Sequence, residues 1–504
     1  MVDHAEQEAA ALAIRLVRYI ERHDGRFFRD EDGQLQIILA DRRIPITFER
    51  SNVALAGLMV NACGITTLSQ KAQCAIQRLQ IIAAEKAARM KLCRFSATSA
   101  DGERIYIPIA NGNLLCIGAD CHHEVPNGDD ENGMWIEHPY EEPFQYELDH
   151  PAEGLALFEQ LLVETQACVC PEMKWLVGLQ AGIFPYIRTL FPARLILELR
   201  GPSQLGGKTS GAQRFTLLHG LGEVKGDCSV AALNNEGDVG LLVLDNREQA
   251  NFDQPLVDYC LFLSTGAQRQ RSTAEGRVRT SRGRPVGIIT TIEGVPKQEL
   301  QARCVTVEYL IRSEHIDRAS IEREICRCRH KILSALTIVL AKYLEIRGRH
   351  RNPNPRPNLS ENFAAVADLL RAFEEVAEKP KGWAEQIITV WASEIGEREP
   401  EENELEHPIC RAAHEGLKCR PNVNYNGRTG SLYFTNCGEL LTVLQKLNLP
   451  DRSLPKTPEG LGRRLRNRRF LSFEVIDEKS RPSIPELRRT GRARLLGLFF
   501  PDDK

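Results

Sequence analysis

Apolar positions recur at helical spacing near the start of the chain. Leu12, Leu16 and Ile20 form one stripe, which predicts an amphipathic helix over 4–22. Phe27-Phe28 and Leu35 to Leu39 flank an Asp-Gly turn at 32–33 and predict a hairpin. Residues 52–91 read as helical, with Ser51 or Asn52 and then Ser69 as caps. Short strands are expected between 105 and 146. Helical stretches at 152–167 and 172–189 follow, and then three continuous apolar runs: 195–199, 240–244 and 285–291. Runs of this kind read as buried strands. Helices are expected again at 360–378 and 382–396, beyond a Pro/Asn/Arg-rich stretch at 347–358 that reads as a boundary.

Length and composition fit this picture. The chain has 504 residues, 42% hydrophobic and 26% charged, and the length favours two to four domains. No apolar run nears a membrane span and residues 1–20 carry charges throughout, so the expectation is a soluble cytoplasmic protein without a signal peptide or membrane partner. Fifteen Cys lack a disulfide-scaffold spacing and are expected to be reduced. The net charge of −3 hides an uneven distribution, because 397–406 is acidic and 461–494 is basic.

The chemistry centres on Arg200-Gly201-Pro202-Ser203-Gln204-Leu205-Gly206-Gly207-Lys208-Thr209-Ser210. A buried strand precedes it and a helix follows, which is the layout of a phosphate-binding loop. Helix N-terminal amides wrap an anion, a Lys brings a mobile charge to the β/γ phosphates, and a hydroxyl ligates Mg²⁺. Gly201, Ser203, Gly206, Gly207, Lys208, Thr209 and Ser210 are the candidate nucleotide-binding residues. The loop carries one extra residue, since strict spacing puts the first Gly at Pro202.

Three later features fall in the order such a site needs. Leu241 to Leu244 followed by Asp245 is a Walker B pattern, with Asp245 and Thr209 as the Mg²⁺ pair. Asn246 stands where a catalytic Glu is usual, so either Asn246 or Glu248 orients water. Thr290 or Thr291, at the end of the next strand, is placed to sense a γ-phosphate, and Arg303 stands where an arginine finger acts in trans on a neighbour. Each has a plainer alternative, namely a turn Asp, an ordinary strand-end Thr, or a surface Arg paired with Glu299.

Between these strands, residues 269–284 hold six Arg, Arg271, Arg277 and Arg279 among them. A loop of that composition suits a phosphodiester backbone; a solvated loop or subunit contact is the equal alternative. Near the C-terminus, 454–471 reads as one helix capped by Thr457 and carrying Arg463, Arg464, Arg466, Arg468 and Arg469. Strands at 473–476 and 494–500 flank a loop with Arg481, Arg488, Arg489 and Arg492. Helix, strand, basic loop, strand is the end of a winged helix. Eleven Lys/Arg against four Asp/Glu in 461–494 favour DNA over a protein partner. Cys410, His414, Cys419 and Cys437 have the better zinc spacing, though buried thiols explain them more simply.

Residues 151–310 resemble the ATPase domain of phage- and plasmid-type replication helicases of mobile elements, an AAA+/RecA-like, superfamily-3-like P-loop group. The segments carrying the resemblance are Gly201–Ser210, Leu241–Glu248 and Pro285–Val307. It implies ATP and Mg²⁺ as cofactors, DNA as partner and a homo-oligomeric ring such as a hexamer. The expected architecture is multidomain α/β: an N-terminal α+β accessory domain (1–150), a P-loop NTPase core (151–347), a linker with a helical segment (348–401) and a winged-helix-like domain (402–504). The expected activity is an ATP-dependent DNA helicase or translocase; the alternative is an ATP-switched DNA-binding initiator or loader, and a third reading is an ATPase interaction module of mobile-element or phage-defence biology whose basic block binds RNA or protein.

Overall fold

The computed structural model describes the chain except residues 1, 32, 40–44, 49–51, 68, 130–132, 138–143, 202–206, 223, 227, 237–238, 249–251, 267–268, 273–277, 282–284, 311–316, 351–359, 398–408, 410–412, 414–416, 426–427, 447–457, 459–460, 462–473, 477–494 and 502–504. It divides into two compact units, Met1–Ile395 and Gly396–Lys504.

The first unit opens with the helix Val2–Arg22. Arg26–Arg29 then pairs antiparallel with Leu35–Ile38, forming the expected hairpin. Helices Val53–Cys63 and Gln70–Lys86 start at Asn52 and Ser69, whose side chains accept from backbone amides of the first turn. The second helix stops at Lys86, and strands replace its expected continuation to 91. Leu16, Ile20, Phe27, Ile37, Leu58 and Leu79 fill a small core of this region. An antiparallel meander follows, built from Ala97–Thr98, Ile105–Pro108, Asn113–Ile117 and His122–Pro126. Its apolar side, with Ile105, Leu115 and Ile117, shares a core with the central sheet.

That sheet has four parallel strands in the order Leu241–Leu244, Val286–Thr291, Ile196–Arg200, Cys304–Glu308. Successive side chains of a strand point to opposite faces. Leu197, Leu199, Val243, Ile288 and Val305 therefore enter one core, and Ile196, Leu242, Leu244, Ile289 and Cys304 enter the other. Helix Gln254–Thr265 covers the second face through Leu256, Cys260 and Leu263. Helices Met173–Gly182, Lys208–His219 and the 29-residue Arg318–Ile346 contribute to the first. Helices Ser360–Val376 and Trp383–Glu397 join that same core with Phe363, Phe373 and Trp391. These two helices thus share the core of the central sheet.

The second unit contains a four-stranded antiparallel sheet in the order Lys418–Tyr425, Arg428–Asn436, Leu495–Pro501, Glu474–Ile476, with the helix Cys437–Lys446. Glu474–Ile476 and Leu495–Pro501, near the strands expected at 473–476 and 494–500, pair antiparallel. The first two strands of the sheet form a hairpin that the sequence reading left unassigned. Of the 454–471 helix, only Pro458 and the buried Leu461 are described. No helix among the described residues is long and apolar enough to cross a membrane.

Candidate nucleotide site at the carboxyl ends of the central strands

The sheet order decides which side chains meet. The strand ending in Thr290 and Thr291 lies between the loop strand, ending at Arg200, and the strand preceding Asp245. In open α/β sheets, ligands bind at the carboxyl ends of the strands. All three strand ends converge there.

Asp245 is the hub. Its Oδ1 accepts from the Thr209 hydroxyl at 2.7 Å and from the Thr290 hydroxyl at 2.6 Å. The Thr290 oxygen in turn accepts from the Asn246 amide at 2.9 Å. One threonine comes from the helix after the loop and the other from the central strand. Two sequence-distant hydroxyls therefore orient one carboxylate.

Gly207 opens the Lys208–His219 helix in the left-handed region, φ 69°, and has no side chain with which to cap that end. An uncapped helix start with a Gly before it leaves amides aimed where an anion sits. The Lys208 ammonium is buried and donates to the Gly201 carbonyl at 2.6 Å, across the base of the loop. Burial pushes its pKa down, and the carboxylates of Glu248, Asp245 and Glu308 pull it back up. Gly201 is needed for another reason: a Cβ there would stand 2.7 Å from the Tyr309 carbonyl oxygen. Donor amides, a cation and a hydroxyl–carboxylate pair at one strand end fit a nucleotide phosphate with Mg²⁺. Ser203 and Gly206 lie outside the described residues.

Glu248 and Asn246 have different surroundings. The Glu248 carboxylate accepts from the Ile292 amide at 3.0 and 3.1 Å, the Glu293 amide at 3.2 Å and the Thr291 hydroxyl at 3.3 Å. Asn246 is exposed and left-handed, φ 53°, a conformation that Asn tolerates better than most residues. Arg303 sits just before Cys304, at the amino end of its strand, where its carbonyl accepts from Ile196. That is the opposite edge of the sheet from Lys208, roughly 16 Å along a five-residue strand. Arg303 does not reach the site of its own chain.

Some neighbours were not singled out by sequence. Arg200 donates to Glu308 Oε1 through Nε at 2.7 Å and Nη2 at 2.6 Å, joining the ends of two adjacent strands. Glu198 is a buried carboxylate on the Ile196 face of the sheet. It accepts from the Val295 amide at 2.8 Å and the Thr306 hydroxyl at 2.6 Å, and burial raises its pKa. A Glu inside an apolar run was the available signal.

Arg271 and Arg279 are paired residues of an antiparallel hairpin, Arg269–Ser272 with Val278–Ser281, just before the central strand. Arg277, Arg463, Arg464, Arg466, Arg468, Arg469, Arg481, Arg488, Arg489 and Arg492 lie outside the described residues, as do Cys410 and His414. No group of three or more His, Cys, Asp or Glu placed to hold a metal occurs among the described residues.

No family model and no curated protein matches the chain. Among solved structures it is similar to one described as the SCCmec type IV Cch active helicase, at 11% identity and TM-score 0.45, over 94% of this chain and 92% of that one. It is also similar to the apo NrS-1 C-terminal region, at 9% and 0.39, over 96% and 98%. A full-length MCM homolog from Methanopyrus kandleri follows at 11% and 0.27, over 64% and 85%. The neighbours thus include a helicase, at very low identity, and the site rests on this chain's own residues.

Proposed function

We propose that this chain is an ATP-dependent DNA helicase or translocase of the P-loop class, acting in replication of a mobile element. The observation that carries the reading is the shared Asp245 oxygen, held by Thr209 and Thr290 beside the buried Lys208. Bound ATP with Mg²⁺ would supply the anhydride whose hydrolysis drives movement. Gly207 and the amides of Lys208, Thr209 and Ser210 bind phosphate; the Lys208 ammonium leaves the Gly201 carbonyl for it. Thr209 and Asp245 hold the cation. Thr290 or Thr291 reports the terminal phosphate, and Asn246 or Glu248 orients water. Arg303 acts on the neighbouring copy in a ring such as a hexamer. Arg271 and Arg279 on the hairpin, with Arg277 and the C-terminal arginines, contact the DNA backbone.

A second reading is an ATP-switched initiator or loader. It is favoured by the Glu248 carboxylate, whose oxygens are occupied by Thr291, Ile292 and Glu293 donors, an arrangement suited to slow hydrolysis.

Two assays test this. Lys208→Ala should cut ATP turnover by at least about 100-fold; retained turnover would dismiss the nucleotide site. Strand unwinding by the wild type then separates the readings, since DNA-stimulated turnover without unwinding would leave the initiator.

A further inference from the structure

We propose that Cys228 is a site of oxidation by hydroperoxides, whose product is held by Arg247. Arg247 is only 5% exposed, yet its guanidinium makes no ion pair among the described residues. Its Nη2 donates to the Cys228 sulfur at 3.2 Å, and its buried Nε has no hydrogen-bond partner among the described residues. A buried guanidinium nitrogen of this kind can take an added acceptor.

The guanidinium geometry says where that acceptor belongs. Nε and Nη2 point their hydrogens along one edge, as a fork made for two adjacent acceptor atoms. Sulfur fills one arm of the fork. A single oxygen bonded to that sulfur fills the other.

The chemistry balances with a hydroperoxide as oxidant. The Cys228 S–H and H₂O₂ give the sulfenic acid S–O–H and water; the peroxide O–O bond breaks and the S–O bond forms. The sulfur is oxidised by two electrons, and the peroxide oxygens are reduced. A thiol returns the product to the starting state through a mixed disulfide. Access is available, because Cys228 is partly exposed. Cys260 lies close enough to feel the Arg247 and Cys228 charges, but it is fully buried and burial pushes its thiol up to about 12. It is shielded from the oxidant.

Three other thiols, Cys74, Cys326 and Cys419, are more exposed than Cys228 and serve as internal controls. The full-length protein is treated with graded H₂O₂ in the presence of a sulfenic-acid-trapping dione, and each cysteine peptide is quantified by mass spectrometry. Cys228 should be trapped at several-fold lower peroxide than the three exposed thiols. Arg247→Lys, which keeps the charge and loses the fork, should remove that preference while circular dichroism shows the fold intact. Trapping that follows exposure in the wild type, with Cys74, Cys326 and Cys419 ahead, overturns the proposal. No step of the assay requires ATP turnover, so its outcome is independent of the helicase reading.

Discussion

The Thr290 hydroxyl and the Asp245 carboxylate are joined by a 2.6 Å hydrogen bond between neighbouring strands of the central sheet. The hydroxyl both donates to Asp245 and accepts from the Asn246 amide, so it sets carboxylate and backbone together. Thr290→Val keeps the shape and removes both bonds at a site that is only 1% exposed. It should cost about 1 kcal/mol of stability, because a part-buried amide and carboxylate oxygen each lose a partner. Turnover should fall further than stability accounts for, and Thr290→Ser should restore it. Denaturant melts and ATPase rates on the same preparations check this; equal rates in Val and Ser variants would remove Thr290 from the site.

Gly201→Ala tests the base of the loop. The new Cβ would stand 2.7 Å from the Tyr309 carbonyl and 3.1 Å from the Tyr309 Cβ. Neither is the free end of a flexible chain, so the strand end must shift, at about 1–3 kcal/mol. The shift moves the carbonyl that receives Lys208. Nucleotide affinity, read by titration calorimetry, should drop along with the melting temperature. Unchanged affinity would show that the loop tolerates movement at its base.

These sites differ in how legible they were in the chain. Asp245 and Thr290 follow from apolar runs ending in polar residues, and Lys208 from the Gly-rich loop between a strand and a helix. Their meeting does not, because it depends on the third strand inserting between the first two, a choice of topology that periodicity cannot make. Glu198 was hidden for a related reason: a buried strand reads as apolar throughout, and one carboxylate within it looks like noise until Thr306 and Val295 are seen to satisfy it. The hairpin 418–436 was missed because Arg420, Pro421, Asn422 and Asn424 break strand alternation. The helices after 347 were found, but their allegiance was not: an amphipathic stripe says that a face is buried and is silent about its partner.

That allegiance gives a stability prediction. Trp391 is fully buried, its ring packs edge-on to Phe363, and its Nε1 donates to the Glu172 carbonyl at 2.8 Å. Trp391→Ala should destabilise by about 3–5 kcal/mol. Since Glu172 precedes a helix of the sheet domain, nucleotide-site function and Trp391 should be lost in one cooperative transition. Two separate unfolding transitions in calorimetry of residues 1–395 would instead mark an independent helical domain.

His219 predicts an acid-sensitive core. It ends the helix that starts at Lys208, and burial lowers its pKa to about 4. Nε2–H donates to the Ala181 carbonyl at 2.8 Å, and in the neutral ring that burial favours Nδ1 accepts from the Tyr186 hydroxyl at 3.1 Å. An unfolded His titrates near 6.5. Between those values the unfolded chain binds a proton that the folded one refuses. Stability contributed by the neutral ring is therefore present above about pH 6.5 and lost as pH falls towards 4, by up to ~3 kcal/mol. His219→Gln should flatten that part of the stability–pH curve. A slope unchanged between pH 6.5 and 4 would assign the loss to other groups.

Arg303 carries the most discriminating test of assembly. It lies at the amino edge of the sheet while Lys208 and Asp245 lie at the carboxyl edge, so one chain cannot bring them together. If Arg303 serves catalysis, it serves the site of a second copy, and its contribution is worth 10³-fold or more by analogy with arginine fingers, roughly 4 kcal/mol. Arg303→Ala and Lys208→Ala should each be nearly inactive alone. In a mixture, some interfaces join an intact Lys208 site to an intact Arg303 from the neighbour. Turnover should then rise above the sum of the two, and the rise should depend on total protein concentration. Simple additivity at every concentration would confine Arg303 to a structural role at the strand entrance and remove the case for a shared site between copies.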